Sequence, residues 1–377
     1  MVTAVAQQEA GVPGVESAGI KDVKPAVTVT VESLRQFGIE AFTRAGLAEE
    51  GAREVTEVQL ESSLRGQATH NMGDVPRYAQ QVANGKLNRT PAIRVTRETM
   101  VHAQIDGDNA PGQWVGVVAM RKAIEKARQA GVGMVAAGHS NHYGAAGHYA
   151  WMAASEGLIG LSTTNGGSCL APWGGATPTF GNNPLGVGVP AGKHPLFVLD
   201  IAMSTVAMGK IGLAIAEGKP LPLHWILDKQ GRPSTNPADF KASMLGVPIA
   251  EHKGYGLTMV MEVLAGVLTG ATFPWDQVRG TPHGEELNHG QFFLAINPEL
   301  FMSRQEFLDR VDRMIDAAKA SEMAEGVKEI LVPGESEMRA RERNLRHGVP
   351  LLPSTYRSLL AYREKAGLKS QLQEIAS

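Results

Sequence analysis

Apolar residues recur at intervals of three and four near the start of the chain, after a short extended stretch. The residues concerned are Leu34, Phe37, Ile39, Ala41 and Phe42. This spacing is typical of an amphipathic helix. A second helix is predicted over residues 49–66, and a third after Asp74, which we expect to cap it. Residues 28–110 are therefore predicted to form a mainly helical N-terminal lobe.

Strand and helix patterns alternate in the middle of the chain. Alternating Val101, Ala103 and Ile105 predict a strand. Helices are predicted over residues 113–131 and 147–157, and strands over 132–138, 157–165 and 196–205. Residues 166–192, rich in Gly, Pro and Asn, are predicted to be a long loop with a function. An α/β fold follows, with a central lobe over residues 111–300 and ligands at the C-terminal ends of its strands.

The last third of the chain is predicted to be helical. Residues 252–271 are apolar on most faces, which predicts a buried helix. Residues 303–321 begin with the capping-box pair Ser303 and Glu306 and have an apolar stripe at Phe307, Val311, Met314 and Ile315. We expect the helices of residues 301–377 to pack on the N-terminal lobe. Residues 1–27 are small, polar and aperiodic, which predicts a disordered arm.

Composition narrows the class of protein. The net charge of −2 offers no strong field for nucleic acid or an anionic membrane. Cys169 is the only cysteine, which excludes an internal disulfide and a cysteine-based zinc site. A reducing compartment suits such a chain, so we expect a cytoplasmic protein.

Three histidines, His139, His142 and His148, lie within ten residues. No HExxH pattern accompanies them, so a metal site is not expected. Two matches to G-x-G-x-x-A, starting at Gly131 and Gly186, lack the order strand, glycines, helix, so a Rossmann domain is not supported. Proton transfer remains, with His142 in a glycine-lined loop at the end of a buried strand.

Eight segments occur in an order that resembles one family. They are LRGQATHNMGDVPRY, SNHYGAAGHYA, APWGG, GNNPLG, LDIAMSTVAMGKI, EGKPLP, HKGYGL and VPGE, within residues 30–350. Together they resemble the malate/L-lactate dehydrogenase family, which is unrelated to the Rossmann-type enzymes. That family includes sulfolactate, ureidoglycolate and diketogulonate dehydrogenases and piperideine-2-carboxylate (ketimine) reductases.

The resemblance implies a homodimeric oxidoreductase that uses NAD or NADP. It implies a malate/sulfolactate dehydrogenase-like fold, with a non-Rossmann cofactor-binding lobe and a helical lobe built from both termini. His142 and His70 both match catalytic positions, and which of them moves the proton stays open. The substrate positions implied are Thr69, Asn141, Arg77 and Asp74. The cofactor positions implied are Gly166, Asp200, Ile201, Ala202, Met203, Ser204, His252, Lys253, Gly334 and Glu335.

Two departures from the family pattern affect the expected substrate. Asp74 stands where relatives commonly have Arg, and Asn71 stands where they have Gly. A carboxylate at position 74 would repel a 2-oxo acid unless Arg77 replaces the missing cation or Asp74 faces away from the pocket. Three hypotheses stay open: a 2-hydroxy acid dehydrogenase, a reductase of cyclic or N-alkyl imines, and a nucleotide-binding protein without turnover.

Overall fold

The computed structural model describes residues 27–216, 218–279 and 288–375. The predicted arm lies outside the described residues except for Val27, which begins the first strand. The helices described are α1 (Val31–Arg44), α2 (Glu49–Leu64), α3 (Val75–Ala83), α4 (Gly112–Ala130), α5 (Ala146–Ser155), α6 (Met208–Ala216), α7 (Pro237–Ser243), α8 (His252–Glu262), α9 (Pro274–Arg279), α10 (Arg304–Lys319), α11 (Glu335–His347) and α12 (Pro353–Ala366). The strands described are β1 (Val27–Val29), β2 (Arg94–Glu98), β3 (His102–Asp106), β4 (Val132–Ser140), β5 (Ile159–Thr164), β6 (Leu185–Val189), β7 (Phe197–Ile201), β8 (Ile226–Leu227), β9 (Pro233–Ser234), β10 (Leu245–Gly246), β11 (His289–Ile296) and β12 (Val349–Leu351).

A seven-stranded sheet forms the centre, in the order β2-β3-β4-β11-β5-β6-β7. Only β3 and β4 run parallel, and every other neighbouring pair is antiparallel. The sheet is therefore mixed, although the alternating patterns had suggested strands joined through helices. Strands β2 and β3 belong to it, so the sheet extends to the N-terminal side of the lobe limit expected at residue 110.

Part of the run predicted as loop is strand β6, which is a correction. Its residues Gly186 and Gly188 face α5, where an added Cβ would lie 2.5 Å from the Ala146 carbonyl oxygen and 2.2 Å from that of Ala150. Glycine lets the sheet and the helix approach this closely, so its presence here reflects packing and not a turn. The two G-x-G-x-x-A matches lie in or beside strands β6 and β4, not before a helix.

Both ends of the described chain share one core. Buried residues from α1, α2 and α3 pack with Leu351, Leu359 and Leu372, and β1 pairs antiparallel with β12. Helix α10 lies elsewhere: its Asp312 accepts hydrogen bonds from the Gly192 and Lys193 amides at 3.0 and 2.8 Å. It therefore contacts the loop after β6 in the central part of the chain.

Two local expectations are corrected, and one is confirmed. Helix α8 and the π-helical turn that follows it, Val263–Val267, expose an apolar face instead of lying inside, with Val263 50% and Leu268 53% exposed. Met314 is exposed, whereas Val311 and Ile315 of the same predicted stripe are buried. An apolar pattern shows that a face avoids water but does not show what covers it. The Ser303 cap is confirmed by its 3.3 Å bond from the Glu306 amide.

Asp74 precedes α3 as predicted, but its side chain makes no capping bond to that helix. Asn71, three residues earlier, accepts from the Gly73 amide at 2.8 Å and caps the short 3₁₀ turn Met72–Asp74 instead. Among the described helices, none combines the length and apolar content needed to cross a membrane.

Candidate active site

His142 follows β4 in a glycine-containing loop, and its ring is held by two hydrogen bonds. The Tyr78 hydroxyl lies 2.5 Å from His142 Nδ1, and the Gly144 amide donates to the same nitrogen at 3.3 Å. Because a backbone N–H can only donate, Nδ1 accepts, and the proton of the neutral ring is on Nε2. Helix α3 thus supplies the residue that fixes the tautomer of a histidine on another element.

His70 stacks on His142, with ring centroids 5.1 Å apart and planes 9° from parallel. Its backbone φ is +63°, a left-handed conformation that is uncommon outside glycine. The Thr69 hydroxyl lies 2.9 Å from His70 Nδ1. Within the described residues, neither ring has a hydrogen-bond partner at Nε2, and both side chains are partly exposed. Two imidazoles therefore keep their Nε2 atoms for a ligand.

The surroundings of His70 and His142 affect the pKa values of the two rings differently. Burial lowers the pKa of both. For His142, the pKa lies well below its ordinary value, because His70, His289 and Arg77 add further positive charge to the effect of burial. For His70, the carboxylates of Asp74 and Asp200 oppose the lowering of the pKa by burial. His142 is therefore neutral at pH 7, and His70 takes up a proton more readily than burial alone would allow.

The loop before α3 contains Asn71 and Asp74, the two residues that depart from the family pattern. Arg77 Nε lies 3.4 Å from Asp74 Oδ1, and its guanidinium stacks on the Tyr78 ring at 4.3 Å. Asn71 donates to the Gln67 carbonyl oxygen at 2.7 Å, so it serves the loop and not a ligand. A cation thus lies beside the histidines, three residues after the position where the resemblance places it.

The other polar residues of the histidine-rich stretch already have contacts within the protein. Asn141 donates to Asn109 Oδ1 and to the Ala110 carbonyl oxygen, both at 2.9 Å, so both amide hydrogens are used. His139 Nδ1 lies 3.0 Å from Asp106. His148 is buried in α5, where burial lowers its pKa to about 3. Among the described residues, no group of three side chains of metal-binding type comes together.

A cavity of about 420 Å³ lies between β7 and the start of α11. Its lining residues are Arg65, Gln67, Val198, Leu199, Asp200, Leu331, Val332, Pro333, Gly334, Ser336, Glu337 and Met338. Asp200 accepts from Gln67 Nε2 at 3.2 Å and from the Gly147 amide. Its carboxyl is reached from the cavity but closely packed by protein, and this burial raises its pKa. Its charge also acts on His70, which connects the cavity with the histidine pair.

The resemblance implies further cofactor positions, and several of their side chains already make hydrogen bonds or packing contacts within the protein. The Glu335 carboxylate binds Lys319 and Arg339, and the Ser204 hydroxyl donates to the Val206 carbonyl oxygen. Met203 is buried and Ile201 packs against it, so both side chains are part of the protein's packing. Of the implied cofactor positions, only Asp200 and Gly334 line the cavity. Gly166 has open space around it, and His252 and Lys253 are exposed, with the His252 ring 6.5 Å from the Trp173 ring.

Sequence reasoning missed Tyr78, Gln67 and Arg65. Tyr78 and Gln67 lie within the segment that carries the first motif, and Arg65 is the second residue of that motif. Their proximity to His142 and Asp200 depends on the tertiary packing of α2 and α3 against the sheet. The one feature of the sequence that could have indicated these three residues is that they are close to His70 in the chain.

Comparison with known proteins gives consistent results. The family model for malate/L-lactate dehydrogenase matches residues 29–360. The L-sulfolactate dehydrogenase of Methanocaldococcus jannaschii is 38% identical over 309 residues, 82% of this chain and 88% of that protein. The structure of malate dehydrogenase from Pyrococcus horikoshii is similar with a TM-score of 0.82 at 32% identity, covering 92% of this chain and 97% of that one. The structure of delta1-piperideine-2-carboxylate reductase from Pseudomonas syringae has a TM-score of 0.79 at 27% identity, covering 89% and 99%.

Proposed function

The chain belongs to the malate/L-lactate dehydrogenase family, and on that premise we propose that it transfers a hydride between a nicotinamide cofactor and C2 of a small 2-hydroxy or 2-oxo acid. The observation that carries the proposal is the stacked pair of His70 and His142 with both Nε2 atoms free of partners in the described chain. A site that only bound nucleotide would have no need of two imidazoles whose pKa values are lowered to different extents.

The cavity beside the pair fits a dinucleotide. Asp200 offers a carboxylate for ribose hydroxyls, and the Arg65 side chain lines the same cavity. We propose NAD in preference to NADP, because Asp200 and Glu337 both line this cavity. A 2′-phosphate would bring about two more negative charges next to two carboxylates. Ile201, Ala202, Met203, Ser204, Gly334 and Glu335 then contribute backbone contacts, and Gly166, His252 and Lys253 contacts beyond the cavity.

His142 acts as a neutral hydrogen-bond donor in this proposal. Its Nε2–H donates a hydrogen bond to the substrate oxygen, while Tyr78 and Gly144 donate hydrogen bonds to Nδ1. A neutral imidazole with a strongly lowered pKa polarises a carbonyl without being a proton source. The geometry around Nδ1 keeps this donor aimed without reorganisation during the reaction.

His70 moves the proton. A bound nicotinamide supplies the hydride that adds to C2 of the oxo acid. The protonated His70 gives the Nε2 proton to the oxygen as negative charge develops there, and the neutral ring takes the proton back in the oxidative direction. Asp74 and Asp200 stabilise the charged ring. Thr69 at Nδ1 orients it.

We propose that Arg77 binds the substrate carboxylate. Its guanidinium is close enough to lower the pKa of both histidines, and it is held over the ring of Tyr78. Asp74 neutralises part of this charge, which favours a monocarboxylate over a dicarboxylate. A second candidate is imine reduction, which Asp74 would favour by attracting a protonated imine nitrogen. The structural similarity to the piperideine-2-carboxylate reductase supports this second candidate.

We further propose that a second copy of the chain covers the apolar face of α8 and the π-helical turn. Leu257, Val260, Val263, Val267 and Leu268 are each at least 45% exposed along this face. A contiguous exposed apolar surface of this kind is typical of a subunit interface. The active protein is then a cytoplasmic homodimer.

The test is oxidation of NADH and of NADPH, followed by absorbance, against pyruvate, oxaloacetate, other 2-oxo acids and cyclic imines. We expect turnover of a monocarboxylic oxo acid with NADH, and loss of at least a hundredfold in His70→Gln. Turnover of imines alone would replace the first candidate by the second. Tight NADH binding without turnover of any compound would contradict both.

A further inference from the structure

Glu262 is a buried carboxylate that forms no ion pair with the described residues. It ends α8 and is 3% exposed. Its Oε1 accepts a hydrogen bond from Asn165 Nδ2 at 3.0 Å, and its Oε2 accepts one from Asn183 Nδ2 at 2.8 Å. Burial raises the pKa of Glu262, and these two amides oppose that effect. Because burying a carboxylate is costly, its presence here indicates that both of these hydrogen bonds matter to the protein.

The two asparagines belong to different loops of the central sheet. Asn165 follows β5, and Asn183 lies just before β6 with a φ of +33°, which is uncommon outside glycine. Each asparagine also donates to a backbone carbonyl oxygen, that of Thr272 at 3.3 Å and that of Thr258 at 3.2 Å. An asparagine amide has two hydrogens. Glu262 therefore completes the hydrogen bonding of both Nδ2 groups and connects the two loops.

Both loops also contact positions where the cofactor is proposed to bind. Gly166 directly follows the first asparagine. The Asn182 carbonyl oxygen, in the second loop, accepts from the Met203 amide at 2.9 Å. The loops touch each other as well, since a Cβ added to Gly181 would lie 2.5 Å from the Gly166 carbonyl oxygen. A shift of either loop would therefore displace backbone groups at a cofactor position.

The π-helical turn after α8 packs directly on the same carboxylate. A Cβ added to Gly266, within this turn, would lie only 2.4 Å from Glu262 Oε1. Turns of this kind inside helices occur frequently at functional sites. The oxygen that accepts from Asn165 is thus held between the asparagine amide and the turn, which fixes its position.

We propose that Glu262 is a positioning residue for cofactor binding: through its two asparagine partners it holds the loops that carry Gly166 and contact Met203 in one arrangement. The inference rests on the proposed function for the identity of the ligand, a nicotinamide dinucleotide. Glu262 itself does not touch that ligand. Its replacement should therefore weaken cofactor binding by more than the accompanying loss of stability explains.

The test is titration of Glu262→Gln and of the wild-type protein with NADH and with NADPH, followed by fluorescence, together with urea unfolding. Glutamine has the same shape, but its NH₂ group faces an asparagine NH₂ group, so one of the two hydrogen bonds is lost. We expect binding of the preferred cofactor to weaken about tenfold, because a buried donor is left without its partner. The KM for the oxo acid at saturating cofactor should stay within about twofold.

The matched control is Asp312→Asn. Asp312 is also a buried carboxylate that accepts from two donors, the Gly192 and Lys193 amides. The loop that it holds carries no proposed cofactor position. This variant should lower stability by a similar amount and leave cofactor affinity within about twofold.

Unchanged cofactor affinity in Glu262→Gln would overturn the proposal. Equal weakening in Asp312→Asn would also overturn it, since lost stability alone would then explain the effect. Should Glu262→Gln fail to fold, Asn183→Gly decides between the same outcomes, because it removes one of the two amides and glycine adopts a positive φ without strain.

Failure of this inference and failure of the proposed function give different results. A protein that binds cofactor in a manner sensitive to Glu262→Gln but reduces no oxo acid would disprove the proposed function and leave this inference standing. Turnover of an oxo acid, with cofactor affinity unchanged in Glu262→Gln, would do the reverse. Wild-type protein that binds neither NADH nor NADPH would overturn both.

Discussion

Replacing Tyr78 by Phe tests how the site controls His142. The change removes the hydroxyl that lies 2.5 Å from Nδ1 and leaves the 3.3 Å bond from the Gly144 amide. A hydrogen bond of this kind contributes about 0.5–1.5 kcal/mol, so we expect kcat to fall about two- to twelvefold. The hydroxyl stabilises the neutral ring by donating to it, so its loss should raise the pKa of His142.

The assay is the pH dependence of kcat, together with NADH affinity measured by fluorescence. The matched control is Tyr149→Phe, which removes another buried tyrosine hydroxyl, one that donates to the Tyr143 carbonyl oxygen at 2.5 Å. This control should lower stability but not kcat. An unchanged kcat in Tyr78→Phe would refute the reasoning, and so would a fall explained entirely by weaker NADH binding.

Four further predictions follow from charges and exposure. Because burial lowers the pKa of His148 to about 3 in the folded protein, its neutral ring contributes fully to stability above pH 6.5, and this contribution should fall by about 1.4 kcal/mol per pH unit between pH 6.5 and about pH 3. Other buried histidines such as His289 add to the total pH dependence, so in urea unfolding the slope of His148→Phe should be smaller than that of the wild type by this amount, and an equal slope would contradict the prediction. The kcat/KM for oxo acid reduction should fall as the pH rises above the lowered pKa of His70, whereas a flat profile would exclude His70 as the donor. Arg77→Met should raise KM for the oxo acid by about tenfold or more without changing NADH affinity, and an unchanged KM would place the carboxylate elsewhere. Val263→Asp should produce monomers in light scattering, and a persistent dimer would mean another interface.

The sequence was sufficient for the elements in which one signal dominates. Phe37 and Phe42 follow a helical spacing, and both are fully buried. Ala103 and Ile105 alternate in a strand, and both are buried. Ser303 has a local cap that needs no tertiary partner. In such elements, residues that are close in the sequence determine both the local pattern and the burial or capping that the structure shows.

It was insufficient where the partner is distant in the chain. Strand β11 lies between β4 and β5 in the sheet although more than a hundred residues separate it from either in sequence, and no local pattern had predicted it. Strand β6 was taken for loop because its glycines read as turn signals, when they permit close contact with α5. The apolar pattern of α8 was correct, but whether an apolar face meets the same chain or another cannot be read from one sequence.

The candidate site shows the same division. Motifs predicted His70 and His142 as catalytic, but the roles proposed for them depend on the charges of Asp74, Asp200 and Arg77 in the folded chain. Tyr78 was hidden because nothing in its local sequence connects it with a histidine 64 residues away.

The most direct test of the account is isotope transfer. NADH carrying deuterium at C4 of the nicotinamide is incubated with the preferred oxo acid, and the product is examined by mass spectrometry and proton NMR. The account predicts deuterium at C2 of the hydroxy acid in the wild-type protein, and its loss in His70→Gln while NADH binding persists. Product without deuterium at C2, or undiminished transfer in the His70 variant, would contradict it.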